Sequence, residues 1–146
     1  MCWGRGDSGQ LGDGATSSRS TPVAVELPSG TSALFISAHL GDHTCAVLAD
    51  SRRVVCWGRN EYNGYTGALG SGSTAAFVST PQYAQLPTGD RASRVKAGSE
   101  FSCAVTFSNV MYCWCVFVVI SYHGSTVRGL VFYVRWPGAD LHDHVL

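Results

Sequence analysis

One block of this sequence occurs twice and begins a third time. Cys2-Trp3-Gly4-Arg5 returns 54 residues later as Cys56-Trp57-Gly58-Arg59, and Cys113-Trp114 follows after another 57. The segments between match in the same order. Thr21-Pro22-Val23-Ala24-Val25-Glu26-Leu27-Pro28-Ser29-Gly30 is echoed by Thr80-Pro81-Gln82-Tyr83-Ala84-Gln85-Leu86-Pro87-Thr88-Gly89. Gly9-Gln10-Leu11-Gly12 corresponds to Gly67-Ala68-Leu69-Gly70, and His43-Thr44-Cys45-Ala46-Val47 to Phe101-Ser102-Cys103-Ala104-Val105. A period of this size marks a stack of like units, each burying its apolar face against a neighbour.

Each unit reads as strands. Val23, Val25 and Leu27 alternate with Ala24 and Glu26, the period of a half-buried strand. Thr44–Ala49 and Arg52–Trp57 flank Asp50-Ser51, and two β-prone runs about a tight polar turn predict a hairpin. The second copy closes the same way across Phe107-Ser108-Asn109, where Asn109 suits a left-handed turn position. Pro22 and Pro81 are expected to begin the strands they precede, where no ladder donor is needed. Between Trp and the Leu-Gly pair the second copy carries four extra residues, which fall in Asn60–Thr66. Insertions are accommodated in surface loops, so this stretch is expected to be a loop.

Composition narrows the function classes. The 146 residues are 45% hydrophobic and only 14% charged, with ten basic against ten acidic side chains. Such a neutral chain has no global field for nucleic acid or an acidic membrane. No apolar run reaches the roughly 20 residues that span a bilayer, and Met1-Cys2-Trp3-Gly4 does not resemble a secretory signal.

A unit of about 55 residues with "His-Thr-Cys-Ala", Cys-Trp-Gly and Gly-Gln-Leu-Gly elements resembles the regulator-of-chromosome-condensation repeat in its cysteine-containing form. The resemblance covers residues 1–114, two repeats and the start of a third. It implies an all-β chain, a partial β-propeller of four-stranded blades, with Trp3, Gly4, Trp57, Gly58 and Trp114 as repeat anchors. It implies little about activity. The family includes an exchange factor for a small GTPase, ubiquitin ligase modules, photoreceptors and secreted binding proteins.

The remainder departs from the pattern. Cys115 stands where a glycine is expected, and residues 115–146 form an unassigned, non-repeat tail with strand-like stretches at Cys115–Ile120 and Leu130–Trp136. Both ends read as cut. The expectation is a fragment, or a gene-model artefact after Trp114, whose open edges and apolar faces leave the isolated chain marginal or aggregation-prone.

Six cysteines and five histidines are the chemical candidates. If Asp50-Ser51 centres its hairpin, Cys45 lies opposite Cys56, and Cys103 likewise opposes Cys113. Directly opposed residues have the Cα spacing that a disulfide spans. The other reading is buried, reduced cysteine acting as a small hydrophobe. Paired cysteines would favour an extracellular or luminal protein, and reduced ones a cytoplasmic or nuclear one. Cys113 with Cys115, His39 with His43, and Asp140–His144 lack the convergent spacing of a zinc site, so no metal and no cofactor is expected. Arg5-Gly6-Asp7 spells an adhesion tripeptide and Gly6-Asp7-Ser8-Gly9 a protease-like segment, but the repeat accounts for both. His43 is replaced by Phe101 in the other copy, which points to packing rather than catalysis. No catalytic constellation is present.

The expected function is therefore a protein-interaction module. The loops that vary between copies are the candidate contacts: Arg5 and Asp7 in the first, Arg59, Asn60, Glu61 and Tyr62 in the second. The alternative is a guanine-nucleotide exchange regulator of a small GTPase, which works by distorting its partner and needs no catalytic group of its own.

Overall fold

The computed structural model describes residues 1–39, 41–115, 120–122, 125–127 and 132–135. Among these residues every regular element is a strand: β1 (Cys2–Gly4), β2 (Arg19–Val23), β3 (Ala33–Ala38), β4 (His43–Leu48), β5 (Val54–Arg59), β6 (Glu61–Tyr62), β7 (Tyr65–Thr66), β8 (Phe77–Tyr83), β9 (Ala92–Ala97), β10 (Phe101–Thr106), β11 (Val110–Cys115), β12 (Ile120–Tyr122), β13 (Ser125–Val127) and β14 (Phe132–Arg135). Two four-stranded antiparallel sheets, in the orders β3-β4-β5-β8 and β9-β10-β11-β14, are the two blades. The pair β1-β2 repeats the outer half of a blade, with Cys2 opposite Val23 as Cys56 is opposite Gln82. The blades do not close into a ring.

The hairpin register follows from the turns. Leu48 N–H donates to Arg53 O at 2.9 Å, and antiparallel pairs alternate between bonded and non-bonded, so Cys45 and Cys56 meet at a close, non-bonded position. Their Cα atoms are 4.1 Å apart, those of Cys103 and Cys113 are 4.0 Å apart, and both pairs are disulfides. The left-handed residue of the second turn is Asn109 (φ 58°); in the first it is Arg52 (φ 58°), just past the Asp50-Ser51 centre.

Several local expectations need correction. β2 ends at Val23; Val25 and Leu27 continue the alternation beyond it and pack against Trp57 without belonging to a strand. Pro22 and Pro81 sit inside β2 and β8 rather than at their starts. Each lies where the register slips in an outer strand, so the missing N–H breaks no ladder. The insertion is not a plain loop. β6 and β7 pair about Asn63 (φ 52°) and Gly64 (φ 82°), both in the left-handed region that a tight two-residue turn requires. The tail, foreign to the repeat in sequence, places β14 beside β11, in the position β8 occupies beside β5. This strand lies within the expected Leu130–Trp136 stretch. Residues 116–119 and the Asp140–His144 cluster lie outside the described residues.

At each joint between units one loop carbonyl accepts two hydrogen bonds from the next hairpin. Gln10 O accepts both Trp57 Nε1–H and Thr44 Oγ1–H at 3.0 Å. In the second repeat Ala68 O accepts Trp114 Nε1–H at 3.0 Å and Ser102 Oγ–H at 3.1 Å. A Cβ on Gly12 would stand 2.6 Å from Trp57 Nε1, and one on Gly70 2.7 Å from Trp114 Nε1. Only glycine lets the loop approach the indole this closely, and both positions have positive φ besides. Each Gly-x-Leu-Gly loop thus packs on the tryptophan of the next hairpin, with Leu11 and Leu69 buried beside it. Cys45, Val47, Leu69, Val95, Ala97, Ala104 and Trp114 form the core between the blades.

Candidate partner-binding rim

The same joint carries the variable loops to one edge of the blades. Trp3-Gly4 ends β1 with Arg5 just beyond it, and Trp57-Gly58-Arg59 ends β5. Asp42, in the turn before β4, lies between them. Its Oδ1 is 3.2 Å from Arg5 Nη1 and its Oδ2 is 3.7 Å from Arg59 Nη1. Arg59 N–H donates to Asp42 O at 2.7 Å, and Asp42 N–H donates to Tyr62 Oη at 3.2 Å. Arg59 also lies over the Tyr62 ring, 4.6 Å from its centroid, and its Nε donates to Glu61 O at 2.8 Å. One carboxylate therefore links both variable loops into a single half-exposed surface of Arg5, Asp42, Arg59, Glu61 and Tyr62.

Charge on this rim is largely spent internally. Arg5 Nη2 is 2.8 Å from Asp7 Oδ2; this contact, then Asp42, holds the guanidinium pKa above its usual value, and the Arg5 hydrogen bond is foremost in holding the Asp7 carboxyl below its own. Burial pushes the Tyr62 phenol up. Such exposed pairs contribute little to stability, and they hold Arg5 and Asp7 against each other at the surface.

The structure separates the expected contact residues. Arg5, Asp7, Arg59, Glu61 and Tyr62 are at the surface or half-buried, whereas Asn60 is 1% exposed. Its amide donates to Ser73 O and Ala75 O at 2.8 and 2.9 Å, and its oxygen accepts Gly67 N–H and Leu69 N–H at 3.2 Å. Its side-chain hydrogen-bonding groups all go into shaping the loop, so Asn60 holds the rim from beneath rather than standing on its surface. Gly6 is buried at the matching place in the first repeat. That burial, with Arg5 and Asp7 paired to each other, denies the Arg-Gly-Asp tripeptide an extended, accessible form. Trp57 and Trp114 are buried anchors, while Trp3 is 63% exposed.

His43 was legible only as a packing residue. It is buried, and its Nε2 is 2.9 Å from Ser102 Oγ of the second blade, close to the Cys45–Cys56 disulfide. Burial lowers its pKa to about 4, so the imidazole is neutral at physiological pH. The matching Phe101 is 43% exposed, so the two copies use this position differently. Among the described residues, no three His, Cys, Asp or Glu side chains converge as a metal site would require.

The repeated sequence pattern and the fold are shared with one group of known proteins. The regulator of chromosome condensation (RCC1) repeat model matches residues 2–48 and 53–105. The chain belongs to this family. The ultraviolet-B receptor UVR8 of Arabidopsis thaliana is 36% identical over 112 residues, covering 77% of this chain and 24% of the receptor. The crystal structure of human WBSCR16 superposes with a TM-score of 0.68 at 19% identity, over 90% of this chain and 31% of that one. Prp20p of Saccharomyces cerevisiae, described with its binding to Gsp1p and histones, gives 0.54 at 24% identity over 77% of this chain and 28% of its own. This RCC1-repeat chain thus spans about a quarter to a third of the length of these relatives.

Proposed function

We propose that the chain is a protein-binding module whose partner is a small GTPase, engaged through the rim of Arg5, Asp42, Arg59, Glu61 and Tyr62. The observation that carries this reading is the convergence of the two variable loops on Asp42, over a joint that the repeats keep constant. The likeness to Prp20p, whose binding to Gsp1p is described, supports the choice of partner class. A regulator of this kind acts by binding one conformation of its partner better than another. It needs orientation and charge rather than a catalytic group, and the rim supplies both. The paired cysteines favour an oxidising setting for a partner outside the cytosol, the second reading, in which the same rim serves a secreted or luminal binding protein.

Nucleotide release from a panel of small GTPases, each loaded with a fluorescent guanine nucleotide, tests the proposal. Faster release with at least one GTPase, lost on Arg59→Ala with Tyr62→Ala, is expected. Unchanged release across the panel, without detectable complex formation, would exclude the GTPase reading.

A further inference from the structure

The opposite edge of the blades carries a different surface, formed by the hairpin turns. Arg52 lies 5.4 Å from the Phe107 ring centroid, Arg53 3.6 Å from that of Tyr83, and Arg94 5.9 Å from that of Phe35. Backbone bonds fix the turns to each other: Ala92 N–H donates to Arg52 O at 2.9 Å and Phe107 N–H to Arg91 O at 3.1 Å. Between them is an open depression of about 500 Å³ lined by Arg52, Gly89, Asp90, Arg91, Phe107 and Ser108. Arg53, Arg91 and Arg94 are exposed, as is Phe107 at 61%. Among the described residues the ion-paired arginines are Arg5, Arg19 and Arg59, so the four arginines of this edge have no carboxylate partner there. Asp90 on the same edge accepts a hydrogen bond from Tyr112 Oη.

We propose that this edge docks an acidic segment of a partner polypeptide, at a place separate from the rim assigned above. Guanidinium groups placed over rings present their planar donors to carboxylates, often two at a time. Discrete carboxylates fit better than a nucleic-acid strand for two reasons. Asp50 and Asp90 interrupt the positive surface along which a phosphate backbone would run. The chain has no net charge to draw a polyanion from a distance.

Fluorescence anisotropy with the full chain and a fluorescein-labelled peptide of alternating Glu and Ser tests the docking, beside a labelled oligo-dT strand. Saturable, salt-sensitive peptide binding is expected, weakened about tenfold or more by Arg91→Ala with Arg94→Ala and unchanged by Arg5→Ala. Arg91→Lys with Arg94→Lys keeps the charge and loses the fork; several-fold weaker binding is expected even if the alanine variant fails to fold. Three results would overturn the proposal: no saturable peptide binding, full affinity in the lysine variant, or tighter binding of oligo-dT than of peptide.

Discussion

The joint between blades and the loop rim are built on adjoining residues, yet the two copies treat them oppositely. At the joint, different side chains do the same work: Thr44 and Ser102 give a hydroxyl, and Gln10 and Ala68 need only a carbonyl. At the rim, matched positions do different things: Gly6 is replaced by the loop organiser Asn60, and four added residues raise the β6-β7 hairpin. A joint must recur because each blade buries its face only against a neighbour. A rim bears on solvent and partner, and can change without loosening the stack. The contrast assigns stability to the first region and leaves the second free for the recognition proposed for it.

The sharpest way to break this division is Trp57→Ala, which removes a buried indole and leaves Gln10 O one donor short. A loss of about 3–5 kcal/mol is expected, against little change for Trp3→Ala, since Trp3 is 63% exposed; thermal melts compare the two. Equal losses would mean that the repeat position, rather than the joint, carries the stability.

Reduction comes next. Each disulfide closes a short loop, with sequence separations of 11 and 10, and removing one is expected to cost about 3 kcal/mol. Denaturant melts of Cys45→Ala with Cys56→Ala measure it. Differential alkylation should label none of these four cysteines in the oxidised, folded chain.

A loss of similar size is expected on acidification. The His43 pKa falls from 6.5 in the unfolded chain to about 4 in the folded one. Between these values the unfolded chain binds the extra proton. Stability is therefore full above about pH 6.5, falls as the pH drops, and is lower by about 3 kcal/mol near pH 4. His43→Gln, which keeps a hydrogen-bonding group towards Ser102, should flatten that window in melts across the pH range. The smallest effect belongs to the rim: Arg5→Ala should leave the melting temperature unchanged, because exposed ion pairs are screened and entropically costly.

Much of the joint was legible because repetition isolates it. The matched Cys, Trp and Gly-x-Leu-Gly positions gave the hairpins and the register that sets Cys45 opposite Cys56 and Cys103 opposite Cys113, with paired and reduced thiols both open, and Asn109 marked its turn. Other features depend on contacts between distant segments, which no local pattern encodes. Asp42 meets Arg5 from 37 residues away, and nothing in its neighbours singles it out. Asn60 looked like a polar loop residue, and only the fold shows its amide enclosed by four backbone groups. His43 could not be told from Phe101 by comparing copies, because burial of the first depends on Ser102 in the next blade. The β14 strand has no repeat signature at all; what it shares with β8 is a place beside a hairpin, which backbone pairing alone can fill.

The most direct test of the central claim reads stability and binding on one variant, Arg59→Ala with Tyr62→Ala. The account predicts a melting temperature within about 2–4 °C of the parent and loss of binding to the GTPase that the release assay identifies. A large fall in melting temperature with binding intact would contradict it, because the rim would then belong to the scaffold.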